Sequence, residues 1–201
     1  MAGRINREEI LVVAMQQFSN RGYAGVSMRN IANACQLNIG SLYHHFNDKQ
    51  ELYLAAVQQA FTGRSAHLIA VLKSNKPPQN RLSSLIDVLC QILDEDQTFL
   101  KFVQRELLDG DERRLKYLAN QVFGTLIIEL NQLCRQISPQ LDPVLLASTI
   151  IGMVLHLFQS APLRQHLPGF QQEHQQPEII SQHVQQILWQ GLISPHLRGA
   201  L

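Results

Sequence analysis

The sequence predicts an all-α fold in two parts, and three observations carry that prediction. Apolar residues recur at helical spacing from Ile10 to the last third of the chain. No run of alternating apolar and polar residues is long enough to make a strand. The breakers Gly22, "SNKPPQN" at 74–80, Gly110 and Pro143 divide the pattern into helix-sized pieces. Hydrophobic residues make up 45% of the 201 positions and charged residues 16%, so a packed core is available and extended disorder is not expected.

Taken in order, Ile10, Leu11, Ala14, Met15 and Phe18 mark one face of a first helix that stops near Gly22. Ser27 suits the cap of a second helix carrying Met28, Ile31, Ala32 and Cys35. A short break at Gln36 and Leu37 leads to Asn38, the expected cap of a third, with Ile39, Leu42 and Phe46 turned inward. Asp48 and Glu51 have capping-box spacing and open a long fourth helix to about Lys73. Two prolines in 74–80 end it, because proline cannot sit inside a helix. Helical patterns follow at 80–94, 97–109, 111–137, 142–160 and 178–191. Asp142 followed by Pro143 is a strong start signal. Residues 162–178 read as a loop, and the tail after Ser194 has no partner pattern and is expected to fray.

Composition excludes several classes. The net charge is +1, so any nucleic-acid site must be local rather than a global basic field. Cys35, Cys90 and Cys134 are scattered and odd in number, which argues against a disulfide framework and a zinc site. The N-terminus carries charges where a signal peptide needs its apolar run. The apolar stretch "VLLASTIIGMVLHLF" contains His156 and falls short of the roughly 20 residues that span a membrane. A cytoplasmic protein without metal or cofactor is expected.

The stretch "LNIGSLYHHFNDKQEL", Leu37 to Leu52, concentrates the chemistry. Two short helices joined by a tight turn have helix-turn-helix geometry, which offers the second helix to the major groove of double-stranded DNA. Asn38, Ile39, Gly40 and Ser41 occupy its first turn, where free N–H groups and the helix dipole favour phosphate. Gly40 has no Cβ, which permits close approach either of DNA or of a neighbouring helix. Ile39 and Ser41 are short enough to meet a thymine methyl or a base edge. Tyr43 and His44 offer donors to phosphate oxygens, with packing at the core edge the alternative for Tyr43. Lys49 opposes the helix dipole but suits a phosphate; a solvated lysine is the alternative. His45, on another face from His44, is assigned to packing against the first or fourth helix.

The segment "GYAGVSMRNIANACQLNIGSLYHHFNDKQEL" resembles the DNA-binding segment of the TetR family of bacterial transcriptional regulators. The resemblance covers about residues 7 to 55; beyond it only the helical architecture matches. It implies a homodimer that binds a roughly palindromic operator, usually as a repressor, and lets go when a small-molecule effector binds. It also implies base contacts from Arg29 and Ser41 and phosphate contacts from Ser27, Tyr43, His44 and Lys49. Met28 stands where many members carry a hydroxyl. The expected organisation is a DNA-binding domain at 1–55, with its helix-turn-helix at about 27–46, joined by the long helix to an effector-binding and dimerisation domain at 56–201.

In that second domain, polar groups on apolar helices point to a ligand pocket. Phe102, Phe123, Met153 and His156 are candidate walls, and Arg105 a candidate orienting group. The alternatives are a core or interface role for His156 and a structural ion pair for Arg105 and Glu106. The stripe Ile180, Val184, Ile187, Leu188 and Gly191, with the apolar helix before it, is the expected dimer surface. An all-helical enzyme and a protein-binding adaptor are the rival readings. The chain has no HExxH, GxSxG or glycine-rich phosphate loop, and its acidic clusters sit at helix ends, where capping explains them.

Overall fold

Side-chain caps define where several helices start in the computed structural model, which describes residues 5–193. Asn6 and Glu9 cap α1 (Arg7–Arg21) reciprocally, and Gly22 ends it at a φ of 71°. Ser27 caps α2 (Met28–Ala34), and Asn38 caps α3 (Ile39–His45). Between them Leu37 N–H donates to the Ala32 carbonyl at 2.8 Å and Gln36 N–H to that of Asn33 at 3.0 Å. That is a Schellman turn with Gln36 at a φ of 56° in the place usually given to glycine.

The long α4 is Lys49–Leu72. Asp48 Oδ1 accepts the Glu51 N–H at 2.8 Å, while the Glu51 carboxylate reaches back to the Asn47 N–H at 2.9 Å. The reciprocal bond therefore falls on Asn47 rather than Asp48. Then come α5 (Pro78–Glu95) and α6 (Gln97–Asp109). The single helix expected over 111–137 is instead three pieces: α7 (Glu112–Tyr117), one π turn (Leu118–Val122) and α8 (Gly124–Ile137). The cause is the Phe123 N–H, which reaches five residues back to the Leu118 carbonyl at 2.8 Å. The widened turn buries both Leu118 and Val122. Next are α9 (Pro143–Gln159), with Asp142 accepting the Val144 and Leu145 N–H groups at 2.9 Å, and the short α10 (Ala161–Arg164). The expected loop at 162–178 also holds a 3₁₀ turn, Gln172–Gln175. The last helix is α11 (Pro177–Ile193). The tail after Ser194, expected to fray, lies outside the described residues. No strand occurs among the described residues, and none of their helices is long and apolar enough to cross a membrane.

Packing divides the chain into two compact units. One takes in residues up to Ala66 together with Gln97–Phe123; the other takes in His67–Asp96 and the chain from Gly124 on. The first unit is built on Ile10, Ala14, Phe18, Ile31, Leu42, Phe46, Leu52, Tyr53 and Phe61, all at most 2% exposed. At about 1.5–3 kcal/mol per large apolar side chain, this face holds the short α2 and α3, too short to persist alone. In the second unit, Leu82, Ile86, Cys90 and Leu93 of α5 meet Ile150 and Val154 of α9 and Ile180, Val184 and Leu188 of α11 in one core. The division by packing sends α6 and α7 to the N-terminal unit.

Candidate nucleic-acid interface

Leu42 and Phe46, 0% and 1% exposed, pin α3 to the core. Asn38, Ile39, Gly40, Tyr43 and His44 are all exposed, and Ser41 is half-buried. Ile39, expected inward with Leu42, instead faces out at 38% exposure, and Tyr43 is 50% exposed. Gly40 and His44 lie on the face opposite Leu42, whereas Ile39 shares the Leu42 side and is exposed as the first residue of α3. His45, expected to pack on α1 or α4, is exposed and meets the ring of its neighbour Phe46 at 6.3 Å between centroids.

Two of the expected contacts are caps first. The Ser27 hydroxyl accepts the Asn30 N–H at 3.2 Å and donates to Asn30 Oδ1 at 2.6 Å, so its proton is already engaged. Asn38 Oδ1 accepts the Ser41 N–H at 2.7 Å. Arg29 is exposed on α2, while Met28, at 8% exposure, is a core residue. A Cβ placed on Gly40 would meet only Asn38 Oδ1, at 3.3 Å. No neighbouring helix crowds it, which removes the reading in which Gly40 serves helix packing.

Lys49 is neither free nor buried. Its ammonium lies over the Tyr23 ring, 4.2 Å from the centroid. Burial, and then the nearby Arg114 guanidinium, lowers its pKa from the usual lysine value. Arg114 lies over the same ring at 4.7 Å and over Tyr53 at 5.7 Å. It is itself held by Glu106, at 2.9 Å between side chains 10% and 4% exposed, and by Asp109 at 3.1 Å. Tyr23 and Tyr53 meet edge to face at 5.0 Å. The sequence reading missed this cluster. Its signal was a second arginine eight residues after an acid on an apolar helix, which helical periodicity does not connect.

The candidate pocket residues divide differently. Arg105 Nε donates to the Ser19 carbonyl at 2.7 Å, and its Nη2 donates to that of Asn20. It therefore closes the C-terminus of α1 through two backbone carbonyls, rather than through the ion pair that was the structural alternative. Glu106 forms the structural ion pair, with Arg114 as its partner. Phe102 is buried, and Phe123 half-buried; both meet Phe61, at 5.6 and 4.9 Å. Phe99 joins them, 4.6 Å from Phe61, with Arg64 over its ring at 5.6 Å. Met153 and His156 belong to the other unit, Met153 half-buried and His156 exposed on α9. Among the described residues no cluster of side chains suits a metal ion.

An anchored pair of short helices joined by a tight turn, with the second presenting a polar outer face, defines a helix-turn-helix DNA-binding protein. The family model for bacterial regulatory proteins, tetR family, matches residues 10–56. The HTH-type transcriptional repressor AcnR of Corynebacterium efficiens is 26% identical over 129 residues, 60% of this chain and 69% of that protein. The chain spans half or less of the length of several other curated relatives. Among solved structures, AibR in complex with isovaleryl coenzyme A and operator DNA is similar in fold. Its TM-score is 0.71 at 22% identity, over 90% of this chain and 97% of that one. FadR from Bacillus subtilis in complex with stearoyl-CoA gives 0.71 at 17% identity, over 89% and 95%. Residues 10–56 thus match the DNA-binding segment of the tetR family of bacterial regulatory proteins, and the helical architecture beyond them is similar in fold to the solved regulators.

Proposed function

We propose that the protein is a ligand-responsive repressor that binds a palindromic operator as a homodimer and is released by a small molecule. The observation that supports this best is the outer face of α3, where Ile39, Gly40, Tyr43 and His44 are exposed beside Lys49. In this reading Arg29, Ile39 and Ser41 meet base edges, and Tyr43, His44 and Lys49 meet phosphates. Gly40 lets the backbone come close. Ser27 and Asn38 act chiefly as caps that hold the two helices in register. Residues 1–55 do the DNA binding and 56–201 the effector binding and association; no catalytic step is assigned. A regulator of operator DNA works in the cytoplasm.

For association, the stripe Ile180, Val184 and Leu188 is spent on the chain's own core, so the shared surface is assigned to faces left exposed. Leu145, Thr149, Gly152 and His156 are exposed along α9, and Ile179, His183 and Ile187 along α11. Paired across a two-fold axis, these faces make a four-helix bundle. The effector's apolar part is assigned to Phe61, Phe99, Phe102 and Phe123, with Arg64 rather than Arg105 as the cation nearby. Met153, in the other unit, is left out of this assignment, and His156 is assigned to the association face. An acyl coenzyme A thioester, as in the AibR complex with isovaleryl coenzyme A and the FadR complex with stearoyl-CoA, is the effector to try first.

The test is a gel shift of the chain on DNA recovered by selection from a random library, with and without long- and short-chain acyl thioesters. Binding of a two-fold symmetric site by a dimer, weakened by a thioester, is expected. A monomer bound to one half-site, or no DNA selected at all, overturns the reading.

A further inference from the structure

Lys49 sits at the start of α4, where the helix dipole repels a cation. A lysine side chain has four flexible carbons and much rotamer freedom to lose before it can hold a phosphate. Among the described residues no carboxylate pairs with Lys49. What fixes it is an aromatic ring from another element: the Tyr23 centroid is 4.2 Å from Nζ, within the distance at which a ring face attracts a cation. Tyr23 in turn is not free to move. Its ring stacks on Phe18 at 6.0 Å, meets Tyr53 edge to face at 5.0 Å, and lies under the Arg114 guanidinium at 4.7 Å. Arg114 belongs to α7, outside the helix-turn-helix, and is anchored by the buried Glu106 of α6.

We propose that Tyr23 is the positioning residue for Lys49 in DNA binding, and that Arg114 and Glu106 hold the ring in place from α7 and α6. This rests on the reading of Lys49 as a phosphate contact. An ordered ammonium keeps its charge for the phosphate but gives up less entropy when it binds. The ring face suits this role because it attracts the cation without neutralising it, which a carboxylate would do. Because the anchor lies in α6 and α7, a shift of those helices reaches the DNA contact through one ring.

The experiment compares salt titrations of DNA binding for Lys49→Ala, Tyr23→Phe, Tyr23→Leu and the paired change Glu106→Leu with Arg114→Leu. The paired change removes both buried charges together and so leaves none unpaired. Tyr23→Leu and the paired change are also made in the Lys49→Ala background. Lys49→Ala is expected to lower the salt slope by about 1. Tyr23→Leu is expected to weaken binding by about 2- to 5-fold, the range of a partly exposed cation–ring contact, and Tyr23→Phe to keep wild-type affinity. In the Lys49→Ala background Tyr23→Leu should cost nothing further. If Tyr23→Leu costs as much in that background, the ring serves folding alone and the proposal is overturned. If the paired change lowers affinity equally in both backgrounds, or not at all, the part given to Arg114 is overturned. If Lys49→Ala changes neither affinity nor slope, the phosphate contact itself is wrong and the proposal falls with it.

Discussion

Arg105 Nε donates a hydrogen bond to the Ser19 carbonyl at 2.7 Å, joining α6 to the C-terminus of α1 across 86 residues of chain. The last carbonyls of a helix have no intrahelical donor. Arg105 supplies one to Ser19 and another to Asn20, beside Gly22, where the chain turns toward α2. The guanidinium fork reaches two carbonyls at once, which a lysine cannot do in the same geometry. Arg105→Ala should therefore lower stability by about 1–2 kcal/mol, and Arg105→Lys should restore only part of it. Chemical denaturation measures the loss. Hydrogen exchange should locate it at Asn20 to Tyr23 rather than in α6.

The three cysteines should be silent to thiol reagents in the native state. All are free and buried. Burial pushes Cys90 up to about 12 and Cys134 up to about 11. The thiolate is the reactive form, so alkylation at pH 8 should track unfolding, not the native state. The same shifts bear on stability. A thiol whose pKa is higher folded than unfolded contributes stability that is complete below its unfolded pKa of about 9. That stability is lost as pH rises toward 11–12, with a slope of at most about 1.4 kcal/mol per pH unit for each group. Replacing both residues by alanine should flatten the alkaline limb of the stability curve, read by urea denaturation between pH 8 and 11.

How much of this was legible in the sequence follows from which forces act locally. The helix starts at Ser27, Asn38 and Asp142 could be read because a cap is made within three residues. The break at Gln36 was legible, but not the left-handed glutamine that makes it. The π turn at Leu118–Val122 was not, since an apolar pattern continues through it. The exposed face of α3 was half legible. Its polar members stand out in the sequence, but Ile39 shares a helical side with Leu42 and reads as core, while as the first residue of α3 it is exposed. The roles of Arg105 and Arg114 depend on partners in α1 and at Tyr23, far away in sequence, and only the fold brings those together.

Gly40 separates folding from DNA binding. A Cβ there meets nothing but Asn38 Oδ1 at 3.3 Å, so the cap oxygen must give by a few tenths of an ångström. Alanine gains about 1 kcal/mol of helix propensity over glycine, and the cap contact offsets part of it. The net change in stability of Gly40→Ala should stay below about 1 kcal/mol. If the backbone at Gly40 lies against DNA, the same methyl group should cut affinity for the selected site by about tenfold or more, roughly 1.4 kcal/mol. Thermal melts and gel shifts on one preparation check both. Equal DNA affinity for glycine and alanine would remove Gly40 from the interface.

Gly152 tests association without touching the fold of the single chain. A Cβ at this position has nothing within 4 Å, and the residue is exposed on α9 between Thr149 and His156. A long charged side chain there should leave the core of Leu146, Ile150 and Val154 undisturbed. If the α9 and α11 faces pair between two copies, Gly152→Arg puts a guanidinium from each copy into a desolvated interface without a partner, which is costly. Helical content and the melting profile at high dilution should then match the parent chain, while sedimentation equilibrium shows a monomer. DNA affinity should fall with it, because a monomer engages one half-site and loses the gain in effective concentration from holding two. A variant that remains a dimer would move the association surface away from α9, and its operator affinity would be expected to remain unchanged.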